Sequence, residues 1–267
     1  MKIDPSLVRL YAVTDRNNPK DKTLPQAVEE AVLGGATMIQ LREKTLNDRD
    51  LLALAKEIKD VTDYYRVPLI INDRPDTALR CGAAGVHLGQ EDSSVQEARR
   101  LLGPEKIIGV SAHNASEAVA AEAAGADYLG AGAVFSTSTK KNTVPVTAEA
   151  LQEISQSVSI PVAAIGGITA SRIPSLKDTG IDGVAVVSAV FGDDRPAEAA
   201  SQLSKALRSA GIGTAVPSSL KKLRVKFIAL NMATVAVVLA VVFTAICVIN
   251  YQQGTNGVYS ALDAAID

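Results

Sequence analysis

Apolar and polar positions along the first 210 residues alternate in blocks. Short runs rich in Val and Ile recur, and each gives way to a longer stretch of Ala, Leu and Glu. The runs are LYAVT (10–14), MIQLR (38–42), PLIIN (68–72), GVHLG (85–89), KIIGVS (106–111), YLGAGAVF (128–135), PVAAIG (161–166) and GVAVVS (183–188). Strands that are apolar at nearly every position are buried on both faces, as in a parallel sheet. Between them, Leu51, Leu54, Ala55, Ile58, Val61 and Tyr65 share one face of a helix over 51–65. A second helix is predicted over 115–124, ended by Gly125. Glycines that end helices also precede strands in GGA (34–36), CGAAG (81–85) and TGIDG (179–183). Eight strand–helix units predict an α/β fold, a closed (β/α)8 TIM barrel. The alternative is an open doubly wound sheet, but no GxGxxG follows the first strand.

The last fifth of the chain breaks this rhythm. From 227 to 249 there are 23 residues without a charge, longer than the roughly 20 needed to cross a bilayer. Lys221, Lys222, Arg224 and Lys226 precede the run, and no Lys or Arg follows it. That length and bias predict a single transmembrane helix holding a cytoplasmic domain to the inner face of the membrane. The expected layout is a barrel over 1–213, a basic linker over 214–226, the span over 227–249 and a polar tail over 250–267. The opening 15 residues lack the apolar stretch of a secretory signal.

Composition narrows the chemistry. The 267 residues are 47% hydrophobic and 21% charged with a net charge of −2, enough apolar matter for a large core. Near-neutrality argues against nucleic acid as a partner. Only Cys81 and Cys247, with two histidines, are available, which disfavours both a disulfide framework and a zinc centre.

A barrel of this kind works at the C-terminal ends of its strands. Those ends carry Gln40, Arg42, Glu43 and Lys44 after the second strand, then Asn72 and Asp73 after the third and Asp92 after the fourth. Ser111 closes the fifth, and Thr137, Ser138, Thr139 and Lys140 follow the sixth. Asp73 and Asp92 follow neighbouring strands, and Mg²⁺ characteristically takes one or two carboxylates, completing its shell with water and phosphate. With Arg42, Lys44 and Lys140 nearby, the set describes a diphosphate site; each residue alone also reads as a solvated rim charge. Gly166-Gly167 and Val187-Ser188 follow strands seven and eight, where such barrels bind phosphate on backbone N–H groups. A plain strand-to-helix turn is the other reading of that Gly pair.

YAVTD, IQLREK (39–44), IINDR (70–74), GVHLGQED (85–92), GVSAHN (109–114), GAVFSTSTK (132–140), AIGGI (164–168) and GVAVVSAVF (183–191) resemble the thiamine phosphate synthase family, in family order over roughly residues 8–210. The resemblance implies a Mg²⁺-dependent transferase with two phosphorylated small-molecule substrates. It joins 4-amino-2-methyl-5-hydroxymethylpyrimidine diphosphate to a thiazole phosphate, carboxylated or not, and releases pyrophosphate. Carried onto this sequence, Gln40, Leu41, Arg42, Glu43, Lys44, Asn72, Ser111 and Lys140 are the pyrimidine diphosphate contacts. Arg42, Lys44, Ser111 and Lys140 are the catalytic set, and Asp73 and Asp92 hold the metal. Thr137, Ser138, Thr139, Gly167, Val187 and Ser188 hold the thiazole phosphate. The family also implies a homo-oligomer.

Two other functions stay open: a thiazole tautomerase-like barrel, and a non-enzymatic membrane protein with a degenerate barrel. His87, inside a strand, reads as a packed or hydrogen-bonded residue, and His113 as a loop residue or a substrate contact. The basic segment, apolar span and short tail resemble the opening of a membrane sensor such as a histidine kinase.

Overall fold

The computed structural model describes residues 3–15, 21–136 and 145–213, with Met232, Thr234, Val235, Leu239, Phe243 and Thr244 beyond them. Eight strands follow one another round a closed barrel: β1 (Leu10–Val13), β2 (Met38–Leu41), β3 (Leu69–Asn72), β4 (Gly85–Leu88), β5 (Ile107–Ala112), β6 (Tyr128–Gly132), β7 (Val162–Ile165) and β8 (Gly183–Val186). All neighbours are parallel, and β1 pairs with β8 in the register Leu10↔Val184 and Ala12↔Val186 to close the ring. The open-sheet alternative is thereby excluded.

Because side chains alternate across each strand, every apolar run divides between two cores. Leu10, Ile39, Leu69, Val86, Leu129 and Val184 point outward into a cluster shared with the helices. Tyr11, Met38, Ile70, Tyr128, Ala163 and Ala185 point inward and fill the barrel. Ile3 and Val8 join this inner cluster, so the short 3₁₀ turn Pro5–Val8 closes the barrel at the N-terminal ends of the strands.

The helical shell is α1 (Leu24–Leu33), α2 (Asp48–Tyr64), α3 (Pro75–Cys81), α4 (Val95–Leu102), α5 (Ala115–Ala124), α6 (Ala148–Ser157), α7 (Ser188–Phe191) and α8 (Pro196–Ala210). Local signals fix its ends. Thr23 with Gln26 and Ser94 with Glu97 form capping boxes at α1 and α4. Gly82 and Gly125 end α3 and α5 in the left-handed conformation, with φ of 71° and 100°.

The seventh unit departs from the expected pattern. Between β7 and β8 the chain makes only a 3₁₀ turn, Ile173–Leu176, which buries Ile173 and Leu176. Pro174 and Gly180 leave too short an uninterrupted stretch there for a full helix. β6 also stops at Gly132, short of the apolar run that continues to Phe135. Val134 and Phe135 N–H groups instead donate to the Ile165 and Gly166 carbonyls at the end of β7.

The chain divides into two compact units, Met1–Ser218 and Ser219–Asp267. The span expected over 227–249 lies almost wholly outside the described residues. Within it Met232, Val235, Leu239 and Phe243 are helical and exposed. Among the described residues no helix is long and apolar enough to cross a membrane, so the structure gives the expected transmembrane helix no support.

Candidate active site

The C-terminal mouth is assembled from the ends of β2, β3, β4 and β5. Thr14, just past β1, is fully buried. Its N–H donates to the Gln40 carbonyl (2.9 Å) and its hydroxyl accepts from the Arg42 N–H (2.9 Å). This clasp fixes where the chain leaves β2 and therefore where Arg42 and Lys44 start. Gln40 points into the barrel and is 4% exposed. Leu41, expected among the substrate contacts, points the other way. It is 1% exposed in the outer core, so the pleat denies its side chain any role at the mouth.

Asp73 occupies a left-handed turn at φ 59°, with its N–H donating to the His87 carbonyl (2.9 Å). An aspartate tolerates this conformation at modest cost. Asp92 bends back over its own loop, where its carboxylate accepts from the Gly89 N–H at 2.6 Å. The two carboxyls come within hydrogen-bonding reach of each other. Partial burial, then the Asp92 carboxyl, push the Asp73 pKa from its ordinary 3.8 to about 6, against the opposing effects of Lys44 and the Asn72 side chain. The Lys44 ammonium lies 3.6 Å from Asp73 Oδ2. Arg74 turns away, to Asp48 at the start of α2.

Two carboxylates held together against their mutual repulsion are a hard-oxygen donor pair suited to Mg²⁺. Among the described residues no group of three or more His, Cys, Asp and Glu side chains gathers to hold a metal. An ion held by this pair would complete its shell with water and phosphate.

Inside the barrel a hydrogen-bonded chain emerges that the linear sequence did not disclose. The Gln40 side-chain amide donates to the Tyr11 hydroxyl, which lies 2.8 Å from the Tyr128 hydroxyl. The Tyr128 hydroxyl lies 3.0 Å from His87 Nδ1, and His87 Nε2 lies 3.0 Å from Ser111 Oγ. Burial pushes both phenol pKa values up, keeping them neutral. Room for the chain is made by glycine. A Cβ on Gly109 would stand 2.0 Å from the Tyr128 ring, and one on Gly130 would stand 3.2 Å from His87 Cε1. The structure therefore settles His87 as a hydrogen-bonded interior residue. Its signal in the sequence was a polar residue at an inward position, in register with Asn72 and Gly109. His113 is a loop residue whose Nδ1 pairs with the Glu117 carboxylate at 2.9 Å. Burial opposes the charge on Glu117, yet the bonds from His113 and Asn114 hold its pKa below the usual range.

Across the mouth, β7 ends in Gly166 and Gly167, at φ 105° and 58°. A Cβ on Gly167 would lie 2.4 Å from the Ser136 carbonyl oxygen, so only glycine lets this turn sit against the loop leaving β6. Val187 and Ser188 lead into α7 on the neighbouring strand. Thr137, Ser138, Thr139 and Lys140 lie outside the described residues.

A family model described as thiamine monophosphate synthase matches residues 10–190, which contain every strand of this barrel. The chain belongs to the thiamine monophosphate synthase family. It is 46% identical over 195 residues to the thiamine-phosphate synthase of Clostridium tetani, covering 73% of this chain and 93% of that protein. To the thiamine-phosphate synthase of Ruminiclostridium cellulolyticum it is 52% identical over 182 residues, covering 68% and 87%. The thiamine phosphate pyrophosphorylase structure from Pyrococcus furiosus is 39% identical and superposes with a TM-score of 0.71, covering 77% of this chain and 98% of that one. Membership makes this barrel a transferase of thiamine biosynthesis. The family match ends at residue 190 and lends nothing to the likeness of the tail to a membrane sensor.

Proposed function

We propose that the barrel makes thiamine phosphate by a dissociative substitution, with the diphosphate of the aminopyrimidine held over Asp73 and Asp92 and the thiazole phosphate held at the Gly166-Gly167 turn. The observation that carries this reading is the meeting of the two carboxyls beside Lys44. Like charges brought together in this way are stabilised by a divalent cation.

Asp73 and Asp92 would hold Mg²⁺. When bound, the ion supplies positive charge to the diphosphate oxygens. Arg42, Lys44 and Lys140 stabilise the same oxygens as the bond from the exocyclic CH₂ to the leaving oxygen breaks and its electron pair departs with pyrophosphate. The amino group of the pyrimidine delocalises the positive charge left on that carbon. The thiazole nitrogen donates its lone pair to form the new C–N bond, and the positive charge ends on the thiazolium ring. No proton moves in these two steps, so no strong base is required. Gln40, Asn72 and Ser111 orient the pyrimidine. Gly167, Val187 and Ser188, with Thr137, Ser138 and Thr139, hold the thiazole phosphate. Leu41 and Glu43 contribute through the backbone turn that leads to Lys44.

A thiazole tautomerase would have no use for the paired aspartates or Lys44. The deciding assay is release of pyrophosphate from the two substrates with and without Mg²⁺. Release that needs both substrates and the metal supports the proposal, and turnover indifferent to chelation overturns it. Membrane attachment through 227–249 is proposed on its uncharged length alone. Recovery of the full chain in the soluble fraction of cells overturns it.

A further inference from the structure

Gln40 and Ser111 stand on β2 and β5, yet a single file of side chains joins them through the barrel interior. With the Gln40 amide nitrogen facing the Tyr11 hydroxyl, counting protons gives that file a direction. The amide nitrogen of Gln40 can only donate, so Tyr11 accepts there. Tyr11 is 1% exposed, and within the file its one proton has an acceptor only in the Tyr128 oxygen. Were Tyr128 to donate to Tyr11 instead, the Tyr11 proton would be buried without a partner in the file, a costly arrangement. Tyr128, fully buried, therefore gives its own proton to His87 Nδ1. An Nδ1 that accepts belongs to a neutral imidazole with its proton on Nε2, and that proton is donated to Ser111 Oγ. The Ser111 hydroxyl proton is then left to point elsewhere, and Ser111 is only partly buried at the mouth.

We propose that Tyr11 and Tyr128 are positioning residues that act through His87, presenting Ser111 to the pyrimidine substrate as a hydrogen-bond donor and the Gln40 amide oxygen as an acceptor. This rests on the reading of Gln40 and Ser111 as pyrimidine contacts. Both ring nitrogens of His87 are committed, so it sets an orientation and is not a base. The file also explains why two strands carry glycine where a side chain would collide with Tyr128 or crowd His87.

The protein has only two histidines, which makes ¹⁵N NMR of the imidazoles a direct test. At pH 7.5 in the full chain, His87 should carry its proton on Nε2, whereas neutral His113, facing Glu117, should carry it on Nδ1. Tyr128→Phe removes the donor to Nδ1 and should leave His87 a mixture of tautomers. The same variant should raise KM for the pyrimidine diphosphate and lower kcat. Its kcat/KM should drop on the order of tenfold, while KM for the thiazole phosphate stays unchanged. Tyr11→Phe should act in the same direction, and the double variant should lose less than the product of the two single losses. If Tyr128→Phe fails to fold, the wild-type spectrum and Tyr11→Phe carry the test.

A wild-type His87 protonated on Nδ1 overturns the proposal, as does a Tyr128→Phe enzyme with unaltered kinetics. Ser111→Ala separates the two levels of the argument. Lost activity there beside a normal Tyr128→Phe enzyme sinks the relay alone. A fully active Ser111→Ala enzyme removes Ser111 from the substrate and the relay with it.

Discussion

At the scale of single residues, Asp73 carries the most testable physics. Its folded-state pKa of about 6 lies above its ordinary 3.8, so its protonated form is favoured by folding. The stability this gives is fully present below about pH 4 and is lost as pH rises through 6. In chelator, wild type should therefore lose stability relative to Asp73→Asn between pH 4 and 7, by about 1 kcal/mol for so partly exposed a group. Urea midpoints measured across that range check the sign, and added Mg²⁺ should reverse the loss above pH 6. Charge at the leaving group should matter more than the amide-lined phosphate site. Asp92→Asn and Lys140→Ala should each lower kcat by on the order of 10²–10³, read by steady-state assay. Ser188→Ala should instead act mainly on KM for the thiazole phosphate. The acidic pair was legible in the sequence because both aspartates follow neighbouring strands. The left-handed turn of Asp73 was not, since nothing local marks a non-glycine residue for φ 59°.

At the scale of elements, the two ends of the barrel are built for different work. Around β5 and β6, Asp127 is 2% exposed and accepts from the Ile108 N–H (2.9 Å) and the Arg99 guanidinium (2.6 Å). Arg99 also donates to the Gly103 and Gly125 carbonyls, tying the end of α4 to the entry into β6. Removing a buried charge that closes such a network leaves its partners unsatisfied. Asp127→Ala should cost about 3 kcal/mol in a denaturation experiment, while the folded fraction keeps its KM values, because this cluster lies at the opposite end of the strands from the mouth. The sequence marked these elements well. Gly125 ends α5 where the Ala-rich stretch ran into glycine, and β4 begins at Gly85 as the GVHLG run required. It overstated β6 and supplied a helix between β7 and β8. Strand length depends on which neighbour offers a ladder, and composition alone does not encode that.

At the scale of the whole molecule, the barrel is complete before the apolar tail begins. β1 closes on β8, α8 ends at Ala210 with Gly211 in the left-handed conformation, and the family match stops at 190. A chain ended at Gly213 should keep its kcat and both KM values, checked by assay beside the full chain. What the amino-acid order determined by itself was the alternation of eight short apolar runs with helical stretches, and the concentration of Asp, Lys, Arg and glycine at one end of those runs. These are local patterns, set by side-chain periodicity and by glycine's backbone freedom. Closing the ring decided the rest. Register and pleat send Leu41 outward and Gln40 inward, and they stack Tyr11, Tyr128 and His87 into one file. Such contacts join residues as far as 117 positions apart, and their geometry exists only once every strand has a neighbour on both sides.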